Sequence, residues 1–369
     1  MKRFDAVVVG AGPAGSTAAY RLAHGGASVL LVDKARFPRD KPCGGGVTLR
    51  AARLLPFSLD PVVEDVVDRF ELRLGYRSSF ERASDEPLCL MTQRRRLDEF
   101  LVRQAEDAGA EFRDGVQVRF DDGNVVVDGE GVSARVIVGA DGVNGLTART
   151  FGIAGDHGYG VGLEGNAPLD TRYRGRLVLE LGVVPGGYAW VFPKGDHVNV
   201  GVGGWESEGP RLREHLRRLC DVHDVDFGAL TDVRGYRLPY RHAASRFASD
   251  KVLLVGDAAG LIDPLSGDGM YEAFVSANRA AEAVLSGDLA SYESRVLAEL
   301  GPLHGASWTA KYALDRFPRL TFAIARAPLA WGVISRLVRG DMKDPTAARG
   351  LARAPLKALD RLGKIAQPA

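Results

Sequence analysis

The stretch from Phe4 to Gly15 limits what the start of this chain can become. An apolar, strand-forming run, Phe4 to Val9, opens into Gly10-Ala11-Gly12-Pro13-Ala14-Gly15 and then into an Ala-rich helical stretch, Ser16 to His24. Strand, glycine turn and helix in that order predict a dinucleotide-binding βαβ start. Gly10 permits the tight turn and Gly12 lets the backbone approach a diphosphate. Gly15 lets the helix pack on the sheet, with Pro13 and Ala14 at the positive helix end that faces the phosphates. A second strand, Ser28 to Val32, ends at Asp33-Lys34. A carboxylate there accepts ribose hydroxyls and disfavours a 2′-phosphate.

Two later strands also end in Gly and Asp. Arg135 to Val138 runs into Gly139-Ala140-Asp141-Gly142. Val252 to Val255 runs into Gly256-Asp257 and on to Pro264-Leu265-Ser266-Gly267-Asp268-Gly269, ahead of a helix from Met270 to Leu285. Asp257 is placed to accept from a ribitol hydroxyl, while Gly267 and Gly269 at a helix start expose backbone N–H groups to an electron-rich ring edge. So long a sequence gap between motifs implies an extended cofactor gripped from both ends, FAD rather than a nicotinamide. Between them, Gln93-Arg94-Arg95-Arg96 opens a helix whose Leu97, Leu101 and Ala105 share one face. Either Arg94 reaches the cofactor phosphates or the run is a solvated surface. Strands occupy Glu111 to Val127, with Asp121-Asp122-Gly123-Asn124 as a hairpin turn.

The loop Lys41-Pro42-Cys43-Gly44-Gly45-Gly46-Val47 puts one thiol just beyond the dinucleotide-binding start. Cys43 is either a small polarisable group that relays a proton beside the cofactor or a buried packing residue. Further along, Arg176 to Gly182, Tyr188 to Phe192, His197 to Gly203 and Arg234 to Pro239 read as strands. Period two puts Tyr188, Trp190 and Phe192 on one face, as the lining of an apolar tunnel or as sheet core.

Taken in order, these motifs make the chain resemble the group A flavoproteins, whose fold is that of para-hydroxybenzoate hydroxylase. Phe37-Pro38-Arg39-Asp40-Lys41-Pro42-Cys43-Gly44-Gly45-Gly46 and Gly187-Tyr188-Ala189-Trp190-Val191-Phe192-Pro193-Lys194 are similar to the two signatures of the geranylgeranyl reductase family. The resemblance covers roughly residues 1 to 300. It departs from the family pattern at Gly45, where many members carry an acid, so no acid of this loop is given a proton-transfer role.

The resemblance implies an α/β fold. A Rossmann-like FAD-binding domain (1–51, 92–154, 249–289) is interleaved with a mainly antiparallel β-sheet substrate domain (52–91, 155–248), followed by a helical C-terminal region (290–369). Gly44 and Gly45 join the cofactor-binding residues, Cys43 is catalytic, and Tyr188, Trp190 and Phe192 bind substrate. The implied activity is reduction of double bonds in a geranylgeranyl or polyprenyl chain on a lipid, quinone or pigment precursor. NAD(P)H or reduced ferredoxin, hence an electron-donor protein in the latter case, would recharge the FAD. The alternatives are an FAD monooxygenase or halogenase, and an electron-transfer flavoprotein donating to a quinone.

Composition sets the remaining bounds. With 369 residues, 46% of them hydrophobic, the chain can bury a large core, and a net charge of +1 argues against nucleic acid as a partner. Residues 311–369 carry twelve Lys/Arg against Asp315, Asp341, Asp344 and Asp360, a region near +8 in a chain otherwise near −7. Helices expected over Ala290 to Leu300, Leu320 to Arg339 and Thr346 to Leu362 make that end either an anionic-membrane contact or a solvated cap. The apolar segment Leu320 to Ile334 is broken by Arg326 and Pro328 and falls short of the roughly 18 residues of a membrane span. Three scattered cysteines, Cys43, Cys89 and Cys220, suit neither a disulfide framework nor a zinc site, and no histidine falls in a metal-ligand spacing. A reducing, cytoplasmic location is expected, peripheral on the inner membrane face if lipid is bound.

Overall fold

In the computed structural model, which describes residues 2–121, 124–153, 157–242 and 245–367, the chain passes repeatedly between two large sheets. It begins with β1 (Lys2–Val9), α1 (Pro13–His24) and β2 (Val29–Val32). It then leaves through β3 (Gly46–Thr48), α2 (Leu49–Ala52), β4 (Val63–Val67), β5 (Arg69–Leu74), β6 (Ser78–Ala83) and β7 (Cys89–Thr92). It returns as α3 (Arg94–Asp107), β8 (Glu111–Arg113), β9 (Val118–Asp121), β10 (Asn124–Val127), β11 (Glu130–Gly139) and α4 (Thr147–Thr150). A second excursion makes β12 (His157–Pro168), β13 (Arg176–Leu181), β14 (Tyr188–Pro193), β15 (His197–Trp205), α5 (Leu212–Val222) and β16 (Thr231–Arg241). The chain comes back once more as β17 (Val252–Leu254) and α6 (Met270–Ser286), then ends in α7 (Tyr292–Arg316), α8 (Pro318–Arg326), α9 (Pro328–Arg339) and α10 (Arg353–Ala366).

The first sheet runs β8-β2-β1-β11-β10-β9, with β17 also on β11. The pairs β8–β2, β2–β1, β1–β11 and β11–β17 are parallel, and the Val-Leu-Leu-Val run of β2 is buried throughout. Strands covered on both faces by helices need such continuous apolar runs. The expected hairpin is present as Asp121 paired with Asn124, with Asp122 and Gly123 outside the described residues.

The second sheet runs β16-β12-β15-β14-β13-β5-β6 and is antiparallel except for β13 beside β5. One face carries Ala189, Val191, Val200 and Val202 against Leu212, Leu216 and Leu219 of α5. The other face turns toward the first sheet. A short sheet, β3-β7-β4, links the two and holds the end of the cysteine loop.

The C-terminal helices depart from expectation in three places, one being the helix expected over Thr346 to Leu362, which begins only at Arg353 and runs to Ala366. A helix ending at Leu300 was expected, yet α7 continues to Arg316 through Gly301 and Pro302. Both residues are exposed, so water can satisfy the carbonyl that the proline leaves without a donor. The segment 320–339 is two helices, because the break at Ala327-Pro328 bends α8 from α9 by 84°. No single helix among the described residues is long and apolar enough to cross a membrane.

Candidate active site

The first glycine motif is built as its residue types require. Gly10 has φ +102°, and a Cβ at Gly15 would lie 1.8 Å from the Gly10 carbonyl, so the helix can approach the turn only without a side chain there. A Cβ at Gly12 would point at two guanidinium groups, 3.4 Å from Arg39 and 3.8 Å from Arg94. Arg94 is 5% exposed and forks onto Asp98, with Nε to Oδ1 and Nη2 to Oδ2 both at 2.7 Å. Arg39 reaches the same carboxylate at 2.8 Å. The buried Arg94 and the half-buried Arg39 share one carboxylate and face a glycine backbone, so their guanidinium groups form a cradle where a diphosphate belongs. Burial excludes the solvated-surface reading for Arg94; Arg95 and Arg96 are the exposed members of that run.

Asp33 closes the second strand with both oxygens engaged, by Ala11 N and Ala35 N at 2.8 Å each. A carboxylate offers about four acceptor positions, so room remains for ribose hydroxyls. Lys34 beyond it is exposed. Asp141 uses Oδ2 to receive the backbone N–H groups of Leu146 and Thr147 and the Thr147 hydroxyl, while its buried Oδ1 has no partner. Gly142 follows at φ +73°.

The third motif packs directly on the first. A Cβ at Gly256 would be 3.1 Å from that of Ala14, which brings residues from opposite ends of the sequence to one helix start. Asp257 Oδ2 pairs with Lys41 Nζ at 3.2 Å, so the acid and the cysteine loop are in register. The turn before α6 is closed on itself. Gly267 N donates to the Asp263 carbonyl, Asp263 Oδ1 receives the amides of Leu265 and Ser266, and Met270 N donates to Asp268 Oδ1. The expectation that Gly267 offers its N–H to the ring edge therefore fails, because that hydrogen is spent inside the turn. Burial, with help from the nearby Glu272 charge, pushes the Asp268 carboxyl up to about 7. Pro264 is buried in this turn.

The cysteine loop and the aromatic strand meet. A Cβ at Gly44 would lie 2.9 Å from Phe192 Cδ2 and 3.7 Å from Trp190 Nε1. Trp190 is 5% exposed, lies over Gly201 of β15 and donates Nε1–H to Asn199 Oδ1 at 2.8 Å. Tyr188 and Phe192 flank it on the same face, with ring centroids 5.9 and 6.2 Å away, and both are half-buried. The Tyr188 hydroxyl donates to the Ser266 carbonyl, which pins the strand to the third motif. Of the two readings of this face, Trp190 is core and its neighbours form its accessible flanks.

Within the loop, Cys43 is half-buried and its Sγ accepts from Gly45 N at 3.4 Å. Gly45 has φ +86°, and a Cβ there would strike the Thr92 carbonyl at 2.3 Å and the Lys194 side chain at 2.9 Å. No side chain fits at that position. Cys89, remote in sequence, lies beneath the loop, 2.9 Å from where a Gly46 Cβ would be, and burial raises its thiol far above the usual range.

Sequence reasoning passed over Arg39, Asp98, Lys194 and Glu164. Arg39 and Lys194 stood inside quoted motifs without a role, and Asp98 follows Arg94 at the i,i+4 spacing of a helix pair. Glu164 continues the alternation Gly158, Gly160, Gly162 along β12, where a lone acid is the signal. Beside these lies a cleft of about 420 Å³ at the start of β14, lined in part by Val184, Pro185, Leu265, Leu314 and Pro318. In its wall Lys311, 4% exposed, sits 4.4 Å from the Trp205 ring, and burial brings its ammonium down to about 8. Among the described residues no cluster of three His, Cys, Asp or Glu can hold a metal.

Comparison with known proteins agrees with this geometry. Residues 3–167 match the FAD binding domain family and residues 166–225 match the geranylgeranyl reductase catalytic domain. The chain is 32% identical to digeranylgeranylglycerophospholipid reductase 2 of Methanopyrus kandleri, over 95% of this chain and 97% of that protein. It is 36% identical to menaquinone reductase of Mycobacterium tuberculosis, over 80% of each. A geranylgeranyl bacteriochlorophyll reductase-like protein from Thermoplasma acidophilum shares the fold with a TM-score of 0.78 at 23% identity, covering 98% of this chain and 100% of that one. The glycine turn, the paired arginines and the Asp33 carboxylate suit FAD, and the chain belongs to the geranylgeranyl reductase family of FAD-dependent oxidoreductases, which act on carbon–carbon double bonds.

Proposed function

We propose that this protein saturates double bonds in a geranylgeranyl or longer polyprenyl chain carried by a lipid, quinone or pigment precursor. The observation that carries the reading is the contact of the Cys43 loop with Phe192 and Trp190, which joins a thiol to an aromatic face beside the FAD cradle. When bound in its reduced form, FAD would supply the two electrons of the reduction as a hydride equivalent. The protein's own residues do the rest. Arg39, Arg94 and the Gly12 backbone would hold the diphosphate, and Asp33 and Asp257 would hold hydroxyls. Tyr188 and Phe192 line the path of the isoprenoid tail, and Cys43 gives a proton to the second alkene carbon. The cleft at the start of β14 is the entry for that tail, since its wall includes Gly187, the neighbour of Tyr188, together with Val184, Leu265, Leu314 and Pro318.

In this reading residues 1–51, 92–154 and 249–289 work as one FAD-binding unit, residues 52–91 and 155–248 as the substrate unit, and 290–369 as a helical cover. A transiently bound NAD(P)H or a ferredoxin-like protein recharges the site; anaerobic bleaching of the flavin by one and not the other identifies the donor. The basic end docks on anionic lipid, for Leu320 and Leu329 are about half exposed and Leu351 and Ile365 more than two-thirds exposed among Arg and Lys side chains. The experiment is anaerobic mixing of reduced holoprotein with geranylgeranyl phospholipid. Reoxidation with a product enriched by two hydrogens per bond supports the reading, and inertness toward every polyprenyl compound tried overturns it. A monooxygenase or halogenase would instead consume O₂ rapidly and release an oxygenated or halogenated product.

A further inference from the structure

Glu164 is a buried acid with an unfinished hydrogen-bond inventory. It is 4% exposed, its Oε1 accepts from Cys43 N at 2.7 Å, and its Oε2 is buried with no hydrogen-bond partner. The cross-strand register puts Glu164 opposite Gly201 and Gly201 opposite Trp190, so the carboxyl shares the aromatic face that meets the cysteine loop. Lys194 Nζ donates to the Cys43 carbonyl at 3.1 Å, completing a clasp in which one acid and one ammonium hold the two backbone groups of the same cysteine. A buried carboxylate oxygen without a donor is costly by roughly 1–3 kcal/mol or more, whereas a carboxylic acid carries a proton to offer.

We propose that Glu164 is the proton source behind Cys43. The inference rests on the reductase reading and adds to it the route of the second hydrogen. Reduction places a hydride on one alkene carbon and a proton on its neighbour. The proton leaves Cys43 Sγ, the S–H bond breaks as the C–H bond forms, and the thiolate is held meanwhile by Gly45 N–H. Glu164 then gives its Oε2 proton to the thiolate and becomes a carboxylate stabilised by Cys43 N–H and by Lys194. Solvent returns the proton after the product leaves. The balance is one alkene, one hydride and one solvent proton.

The groups facing Glu164 set its titration. From the cysteine loop come Asp40 and Cys43, from the turn after β14 comes Lys194, and from β16 come Tyr236 and Arg234, the last paired to Asp40 at 3.1 Å; β15 offers only the uncharged Asn199. Burial raises the carboxyl, and Lys194, the hydrogen bond from Cys43 N–H and the Asn199 side chain oppose it, with the net effect upward. The proton-loaded form is therefore retained at low pH and lost as pH rises through that raised value.

Glu164→Gln keeps an acceptor for Cys43 N–H but has no proton to give, so folding and FAD content should be unchanged. Reoxidation of the reduced holoprotein by geranylgeranyl phospholipid should slow by roughly 10²-fold, and the fall in rate with rising pH should disappear. Infrared difference spectra of wild type minus Glu164→Gln, recorded without substrate, should show a protonated-carboxyl band that vanishes over the same pH range. A wild type inert toward the lipid defeats the reductase reading. A wild type that turns over, with a Glu164→Gln variant equally fast at every pH or with no protonated-carboxyl band over the pH range where the wild type is active, defeats this inference alone.

Discussion

At the residue scale, the cradle depends on charges that balance only when shared. Asp98 is fully buried between Arg94 and Arg39, so Asp98→Ala leaves the buried Arg94 guanidinium without its anion and the half-buried Arg39 with only Asp33, 4.0 Å away. Breaking such an arrangement costs about 3–5 kcal/mol. FAD diphosphate replaces part of the missing charge, so thermal unfolding should show a larger stabilisation by FAD in Asp98→Ala than in wild type; equal stabilisation would separate the arginines from the phosphates. Cys43→Ala, by contrast, should retain FAD and slow only reoxidation by substrate, and unchanged kinetics would reduce the thiol to packing.

Asp268 gives a pH signature. Its proton is held in the folded state up to about pH 7 and released from the unfolded chain near the ordinary value of 3.8. The folded state thus binds the extra proton in between, and stability falls as pH rises across that window. Urea midpoints at about pH 5 and about pH 8 should differ less for Asp268→Asn than for wild type; an identical difference would contradict the burial argument.

At the scale of elements, what local sequence dictates was readable and what distant segments impose was not. The run Phe4 to Gly15 announces β1, the turn and α1 because each residue's role is satisfied by neighbours within a few positions. Leu97, Leu101 and Ala105 are buried on one face of α3 as their spacing requires. Alternation placed Tyr188, Trp190 and Phe192 together, but not which of them is core, since that depends on Gly201 one strand away. Glu164 and Cys89 gain their surroundings from segments tens of residues distant, as Asp98 gains Arg39, and no periodicity records that. The same holds for α7, whose passage through Pro302 depends on which side faces water. The aromatic strand supplies its own test. Trp190→Ala should cost about 3–5 kcal/mol of stability, whereas Phe192→Ala, half-buried, should cost less and chiefly slow substrate turnover. Reversal of that order in paired denaturation and kinetic measurements would exchange their roles.

Across the whole molecule, the chain threads two sheets so that three sequence-distant glycine motifs converge at the start of α1, while the aromatic face of β14 meets the cysteine loop and the third motif. The bent pair α8–α9 and the basic α10 then present exposed leucines and cations on the outside. Sedimentation with anionic vesicles should carry the protein down in a salt-sensitive manner, and Leu320→Asp combined with Leu329→Asp should release it. Absence of binding at low salt would leave these helices as a solvated cap.

The most direct test of the account is the anaerobic reaction of the reduced, FAD-loaded protein with a geranylgeranyl lipid. The account predicts that flavin absorbance returns as double bonds are lost, one flavin oxidised for each bond saturated. Flavin that stays reduced in the presence of the lipid, or reoxidises only when O₂ is admitted, would contradict it.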